Sequence, residues 1–184
     1  MQTRHQDRSA YFEETATSCR NYYLPYIEQH TSLKFGRKCR VMEVGCGIGG
    51  ILSIFAAMGA TVTGIDIHKP SIETAKTLFA ERGLKGTFIC SDIFDYSDTQ
   101  PYDLIILHDA LEHIPKKERL MLHLKSFLKA DGLLYLGFPA WQMPFGGHQQ
   151  MAKNRIIANC PYIHLLPRPL FRFVFRACGE KEST

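Results

Sequence analysis

The chain predicts a doubly wound, parallel α/β sheet of about five strands, and three observations carry that expectation. Short apolar runs alternate with stretches of helical periodicity between residues 41 and 138. A glycine-rich turn, Gly45-Cys46-Gly47-Ile48-Gly49-Gly50, joins the first apolar run to the first of those helical stretches. The second run, 61–66, closes on the carboxylate of Asp66. Strand and helix alternation is satisfied by right-handed crossovers, which make the strands parallel and bring their carboxyl ends to one edge, where open α/β sheets bind ligands.

Residues 9–29 are helical in pattern and rich in aromatics, and Pro25 predicts a break or kink because proline has no N–H to donate and crowds the preceding turn. This stretch is expected to cap the sheet. Strands are predicted at 41–44, 61–66, 87–90, 104–107 and 133–138, with helices at 49–58, 71–83 and 116–130 between them. Pro70 before Ser71 and Pro115 before Lys116 suit helix starts, while Gly83 and Gly132 suit helix ends. Beyond the fifth strand, 151–160 is helix-like. Residues 170–177 carry apolar side chains at 170, 173, 174 and 177 between Pro169 and Gly179, which favours a helix, although Phe171, Phe173 and Phe175 also alternate as in a strand. One domain is expected over 1–184: a helical cap (1–34), a ligand-binding core (35–138), and a lid loop with C-terminal helices (139–184).

Composition narrows the function classes. With 184 residues and 45% hydrophobic content the chain can bury one sizeable core. Its net charge of +4 is mild, and apart from Arg168, Arg172 and Arg176 the basic residues are scattered, so no nucleic-acid surface is required. No apolar run reaches the length of a membrane span or signal core, and a cytoplasmic location is expected. The six cysteines, at 19, 39, 46, 90, 160 and 178, show no C-x-x-C spacing and read as reduced thiols without disulfide or zinc.

Gly45, Gly47 and Gly50 satisfy the dinucleotide spacing G-x-G-x-x-G, and Asp66 follows at the distance of a ribose-binding acid. Glu43 separates the two readings this allows. A carboxylate just before the turn repels a pyrophosphate but suits a cofactor that carries an ammonium and a sulfonium, as S-adenosylmethionine (SAM) does. Cys90-Ser91-Asp92-Ile93, the run from Tyr102 through Leu111-Glu112-His113-Ile114, and the run 128–135 then follow in an order and spacing that resembles the class I SAM-dependent methyltransferases. The resemblance covers roughly residues 35–140 and is greatest to small-molecule methyltransferases with a Leu-Glu-His-Ile segment after the fourth strand.

That resemblance implies a Rossmann-like fold, SAM as cofactor and a role for each site residue. Gly45, Cys46, Gly47 and Gly49 would pass against the methionine portion, with Glu43 acting near it. Asp66 would accept from both ribose hydroxyls while Ile67 and Ile93 hold the adenine faces. Asp92 would accept from the adenine amino group, or else cap the turn 93–96. His108 and Asp109 would border the methionine moiety and the acceptor pocket. After the fifth strand, 138–150 reads as a pocket lid, in which His148 is either a general base for an acceptor hydroxyl or a helix cap. His113 reads as structural, since no H-E-x-x-H order supports a metal.

The implied activity is methyl transfer to a small-molecule acceptor, a hydroxyl among the candidates. Base-amino methyltransferases carry an acid or amide followed by Pro-Pro and an aromatic where this chain has His108-Asp109-Ala110-Leu111, so nucleic acid is not an expected partner. The family usually adds two further strands, the last antiparallel, and 139–184 do not read as that hairpin. The expectation is therefore a five-stranded sheet whose fifth strand is unpaired on its outer edge or covered by the C-terminal segment, in a chain resembling a C-terminally shortened methyltransferase. A SAM-binding fragment without activity, and a nicotinamide-dependent dehydrogenase, are the rivals.

Overall fold

A computed structural model describes residues 7–140, 142–144 and 154–178. The chain falls into two compact units, Met1–Gly137 and Phe138–Thr184.

The first unit opens with α1 (Arg8–Ser18), whose first turn is capped by Asp7 accepting from the Ala10 N–H at 3.0 Å. A π-helical turn, Cys19–Tyr23, leads without interruption into α2 (Leu24–His30). Pro25 accounts for this widening. Its missing N–H leaves the carbonyl four residues back without a donor, and the chain shifts register so that the Leu24 N–H reaches the Cys19 carbonyl. The expected kink is thus a π turn, and it aims Tyr23 at the sheet's carboxyl edge.

Five parallel strands follow: β1 (Arg40–Val44), β2 (Thr61–Asp66), β3 (Thr87–Cys90), β4 (Tyr102–His108) and β5 (Leu128–Gly137). Their order across the sheet is β3-β2-β1-β4-β5. The connecting helices are α3 (Gly50–Ala57), α4 (Lys69–Glu81) and α5 (Lys117–Ser126). Central strands of such a sheet are buried on both faces, so β1 and β4 read as apolar runs. Their side chains alternate between two cores. Val41, Leu104 and Ile106 pack with Phe12, Leu52 and Phe55 on one face, and Met42, Ile105 and Leu107 pack with Leu120 and Leu124 on the other. By the same alternation Glu43 and His108 lie on the α1 and α3 face.

Two boundaries differ from the sequence expectation. α5 ends at Ser126 rather than near 130, and β5 begins at Leu128 rather than at 133. The cause is pairing with β4: Tyr102 N–H donates to the Phe127 carbonyl at 2.7 Å, and the register then slips between Tyr102 and Leu104, taking up the extra residues around Gly132 as a bulge. β5 is the last strand of the sheet, and among the described residues nothing pairs with its other edge.

α1 crosses α3 at Gly50, where a Cβ would lie only 2.6 Å from the Phe12 carbonyl oxygen. Gly50→Ala is therefore expected to cost about 1–3 kcal/mol of stability by forcing the two helices apart, read as a lower urea midpoint. An unchanged midpoint would show that α1 is not held there.

The second unit contains α6 (Arg155–Asn159), a 3-10 turn (Ile163–Leu165) and α7 (Arg168–Ala177). The helix expected at 170–177 is present, started by Pro169 in its first turn. Among the described residues no helix is long and apolar enough to cross a membrane, and none of the six cysteines forms a disulfide.

Candidate active site

The carboxyl ends of the strands meet the glycine turn in two clefts that share Gly45 and Asp109. The larger, about 420 Å³, is lined by Asp66, Ile67, Asp92, Ile93, His113 and Ile114 among others. The smaller, about 150 Å³, lies on the α1 face and is lined by Tyr11, Thr15, Glu43, Cys46, Gly47 and His108 among others.

The turn between them is drawn tight. Gly45 (φ 75°) lets the backbone pass so close to the segment after β4 that a Cβ would sit 2.6 Å from that of Ala110. Gly47 (φ 51°) differs, since a Cβ there would meet no heavy atom within 4 Å and would project into open space. Its N–H donates to Asp66 Oδ2 at 2.8 Å, while Asp66 Oδ1 accepts from the His68 N–H at 2.8 Å. One carboxylate thus holds both the glycine turn and the end of β2.

Glu43 is the anomaly of the site. Its side chain is only 3% exposed, and its Oε2 has no hydrogen-bond partner. Burial, and secondarily the charge of Asp66, holds its carboxyl well above the usual carboxylate range. Among the described residues no Lys or Arg lines either cleft. A buried, unsatisfied carboxylate oxygen is costly, and a cationic donor entering the smaller cleft would relieve that cost. Cys46 beside it is kept a thiol, its pKa raised by burial and then by Glu43 and Asp66, so it is not an activated nucleophile.

At the end of β4, Asp109 has φ 50°, a left-handed conformation that costs a non-glycine residue about 1–2 kcal/mol. Its N–H is held by the Gly137 carbonyl at 2.9 Å, and its Oδ2 lies 3.3 Å from His108 Nδ1. The His108 ring stacks on Tyr23, with centroids 4.5 Å apart and planes tilted by 31°. The π turn caused by Pro25 supplies that contact.

The structure brings most of the sequence-predicted residues together. Asp66, Ile67, Asp92, Ile93 and Asp109 share the larger cleft, and Glu43, Cys46, Gly47 and His108 share the smaller with Gly45. Asp92 combines both of its readings, since its Oδ1 accepts from the Phe94 N–H at 2.9 Å while the residue borders the cleft. Gly49 does not line either cleft. It caps α3 from a left-handed conformation, and a Cβ there would press against Phe88 at 3.0 Å. His113, read from sequence as structural, has a largely exposed side chain on the rim of the larger cleft. Among the described residues no group of three or more His, Cys, Asp or Glu is arranged to hold a metal. His148 lies outside the described residues, as does Trp141 of the expected lid. Sequence reasoning missed Tyr11 and Thr15, whose only signal was their four-residue spacing on a helix.

Comparison with known proteins bears on this geometry. Residues 36–181 match the family model described as a methyltransferase domain. The ubiquinone biosynthesis O-methyltransferase of Actinobacillus pleuropneumoniae is 39% identical over 119 residues, covering 61% of this chain and 50% of that protein. Its counterpart in Coxiella burnetii is 38% identical over 114 residues, covering 61% of this chain and 47% of the relative. The chain therefore spans about half the length of these curated relatives. Among solved structures, a SAM-dependent methyltransferase from Clostridium acetobutylicum superposes with a TM-score of 0.56 at 18% identity, over 67% of this chain and 49% of that one. Coclaurine N-methyltransferase, bound to N-methylheliamine and S-adenosylhomocysteine, superposes with a TM-score of 0.55 at 23% identity, over 62% and 34%. The five-stranded parallel sheet, the glycine turn and the matched span agree, and the chain belongs to the methyltransferase domain family, with the class I SAM-dependent fold.

Proposed function

We propose that the chain binds SAM across the two clefts and transfers its methyl group to a hydroxyl of a small-molecule acceptor. The observation that carries this reading is the orphaned Oε2 of buried Glu43, which fits the ammonium of a methionine moiety and opposes the pyrophosphate of a dinucleotide. The names of the relatives, O-methyltransferases of ubiquinone biosynthesis, support the hydroxyl.

When bound, SAM supplies an electrophilic methyl on a sulfonium that is already a good leaving group. The chain's part is to orient, to exclude water and to take up a proton. In this reading Asp66 receives the ribose hydroxyls, Asp92 the adenine amino group, and Ile67 and Ile93 hold the ring between them. Gly45 and Gly47 admit the methionine portion beside Glu43, with Tyr11 and Thr15 closing that cleft from α1. A hydroxyl acceptor must lose its proton as the C–O bond forms. The contacts of His108 with Tyr23 and Asp109, on the lining of the smaller cleft, support it as the group that receives this proton, and His148 is the second candidate base.

Two measurements test the proposal. Calorimetry is expected to show SAM binding and no binding of NADH. Transfer of label from methyl-labelled SAM is expected to favour phenols and alcohols over amines and thiols, and preferred labelling of amines would overturn the acceptor class. Asp66→Ala is expected to weaken SAM by about 1.5–3 kcal/mol, the worth of charge-assisted bonds to the ribose. Because Asp66 also anchors Gly47, Asp66→Asn, which keeps one acceptor oxygen, should lose less. Equal SAM affinity in Asp66→Ala and the parent would remove Asp66 from the ribose.

A further inference from the structure

We propose that His123 is a positioning residue for the cofactor: through the backbone carbonyl of Ile93 it fixes the wall of the larger cleft against which the adenine ring lies. This rests on the placement of adenine in that cleft given under the proposed function.

The wall is a weak piece of structure by itself. Ile93 opens a single 3-10 turn, Ile93–Asp95, between β3 and β4. Such turns are short, and their hydrogen bonds are poorly aligned. Here the Tyr96 N–H reaches the Ile93 carbonyl at 3.3 Å, a long bond, and the Asp92 carboxylate accepts from the Phe94 N–H. Asp92, Ile93 and Phe94 all line the larger cleft. A shift of this turn would carry with it both residues assigned to the adenine ring.

α5 supplies what the turn lacks. His123 Nε2 lies 2.8 Å from the Ile93 carbonyl oxygen, closer than the Tyr96 N–H. A carbonyl can only accept, so Nε2 carries the proton of this bond. The imidazole is itself held by packing, with its centroid 5.7 Å from that of Phe94 and 4.8 Å from that of Phe127. One helical turn earlier, the Arg119 guanidinium lies over the Phe94 ring at 4.5 Å. The same helix reaches the segment after β4, where Lys117 Nζ donates to the carbonyls of Leu111 and Ile114, and Ile114 lines the larger cleft. Two stretches of the cleft lining are thus tied to one helix, and Leu120 and Leu124 fix that helix against Met42 and Ile105 of the sheet. His123 does not line the cleft itself, so it acts through Ile93.

Calorimetry with SAM on the full chain tests this, with urea midpoints taken on every variant. His123→Leu, which leaves the Ile93 carbonyl without its shorter bond, is expected to weaken SAM by about tenfold. His123→Gln places an amide donor at a similar reach and should stay within about threefold of the parent. A merely structural histidine would lower the urea midpoint in both variants and leave the affinity of the folded chain unchanged. In the Ile93→Ala background, His123→Leu should weaken SAM by no more than about twofold further, because two residues acting through one contact are not additive. Should His123→Leu fail to fold, His123→Asn, whose amide is too short to reach the carbonyl, takes its place against Gln. Equal SAM affinity in the parent and the Leu or Asn variant overturns the proposal, as does a Gln variant that binds no better than Leu. Full additivity with Ile93→Ala overturns it too. A parent chain that does not bind SAM overturns the cofactor reading, and this proposal with it, whereas the other failures leave that reading standing.

Discussion

Gly47→Val is expected to abolish SAM binding while the chain remains folded. The reasoning rests on direction. A Cβ at this position meets no protein atom within 4 Å, so the valine methyls have room in the folded chain, but that room is the space assigned to the methionine portion of the cofactor. The Gly47 N–H to Asp66 bond needs no side chain and can survive the substitution. The cost to the fold is the left-handed backbone, φ 51°, which is worth about 1–2 kcal/mol for a non-glycine residue and is higher for a branched one. Gly47→Ala separates the two effects, since it carries much of the backbone penalty with little of the volume. In calorimetry Gly47→Ala should bind weakly and Gly47→Val not at all, with urea midpoints lowered by a similar amount. If Gly47→Val binds SAM as the parent does, the cofactor does not run past this turn.

The second large effect is a pair of opposite changes in Glu43→Gln. In the folded chain the Glu43 carboxyl is shifted upward by burial first and by Asp66 second. A group whose folded pKa lies above its unfolded value contributes stability that is fully present below the unfolded pKa, about 4.3, and is lost as pH rises through the folded pKa. From about pH 5, just above the unfolded value, upward the parent should therefore lose stability relative to Glu43→Gln, which cannot ionise. At neutral pH the variant is expected to be the more stable of the two, because it has no ionised carboxyl to protonate on folding. Its SAM affinity should move the other way. Removing one partner of a buried charge pair costs about 2–5 kcal/mol of binding. Urea unfolding across that pH range, with and without SAM, checks both signs. Parallel pH profiles in variant and parent, together with equal SAM affinity, would refute the role given to Glu43.

Much of this site was legible in the linear sequence, for a local reason. Strands buried on both faces must be apolar, so β1 and β4 announce themselves, and the period of two then settles that Glu43 shares its face with Val41. Glycines at 45 and 47 mark a turn that other residues resist. Acids at the ends of β2 and β3 stand out because the runs before them hold none. Other features of the site depend on partners distant in the chain. β5 begins at Leu128 because Tyr102 pairs there, and a helical pattern through 130 yields to that ladder. Tyr11 and Thr15 line the smaller cleft only because Gly50 lets α1 lie on α3. Gly49, which the resemblance places among the cofactor glycines, lines neither cleft, and a Cβ there would press on Phe88 and Phe79. Asp109 is held in its left-handed conformation by the Gly137 carbonyl of β5, and Tyr23 reaches His108 through a π turn. Which residues bear carboxylates and turns was set by sequence alone, because those properties belong to single residues and their neighbours. Which of them face one cavity was decided by tertiary structure, because a shared cavity is a property of segments that meet only when the chain is folded.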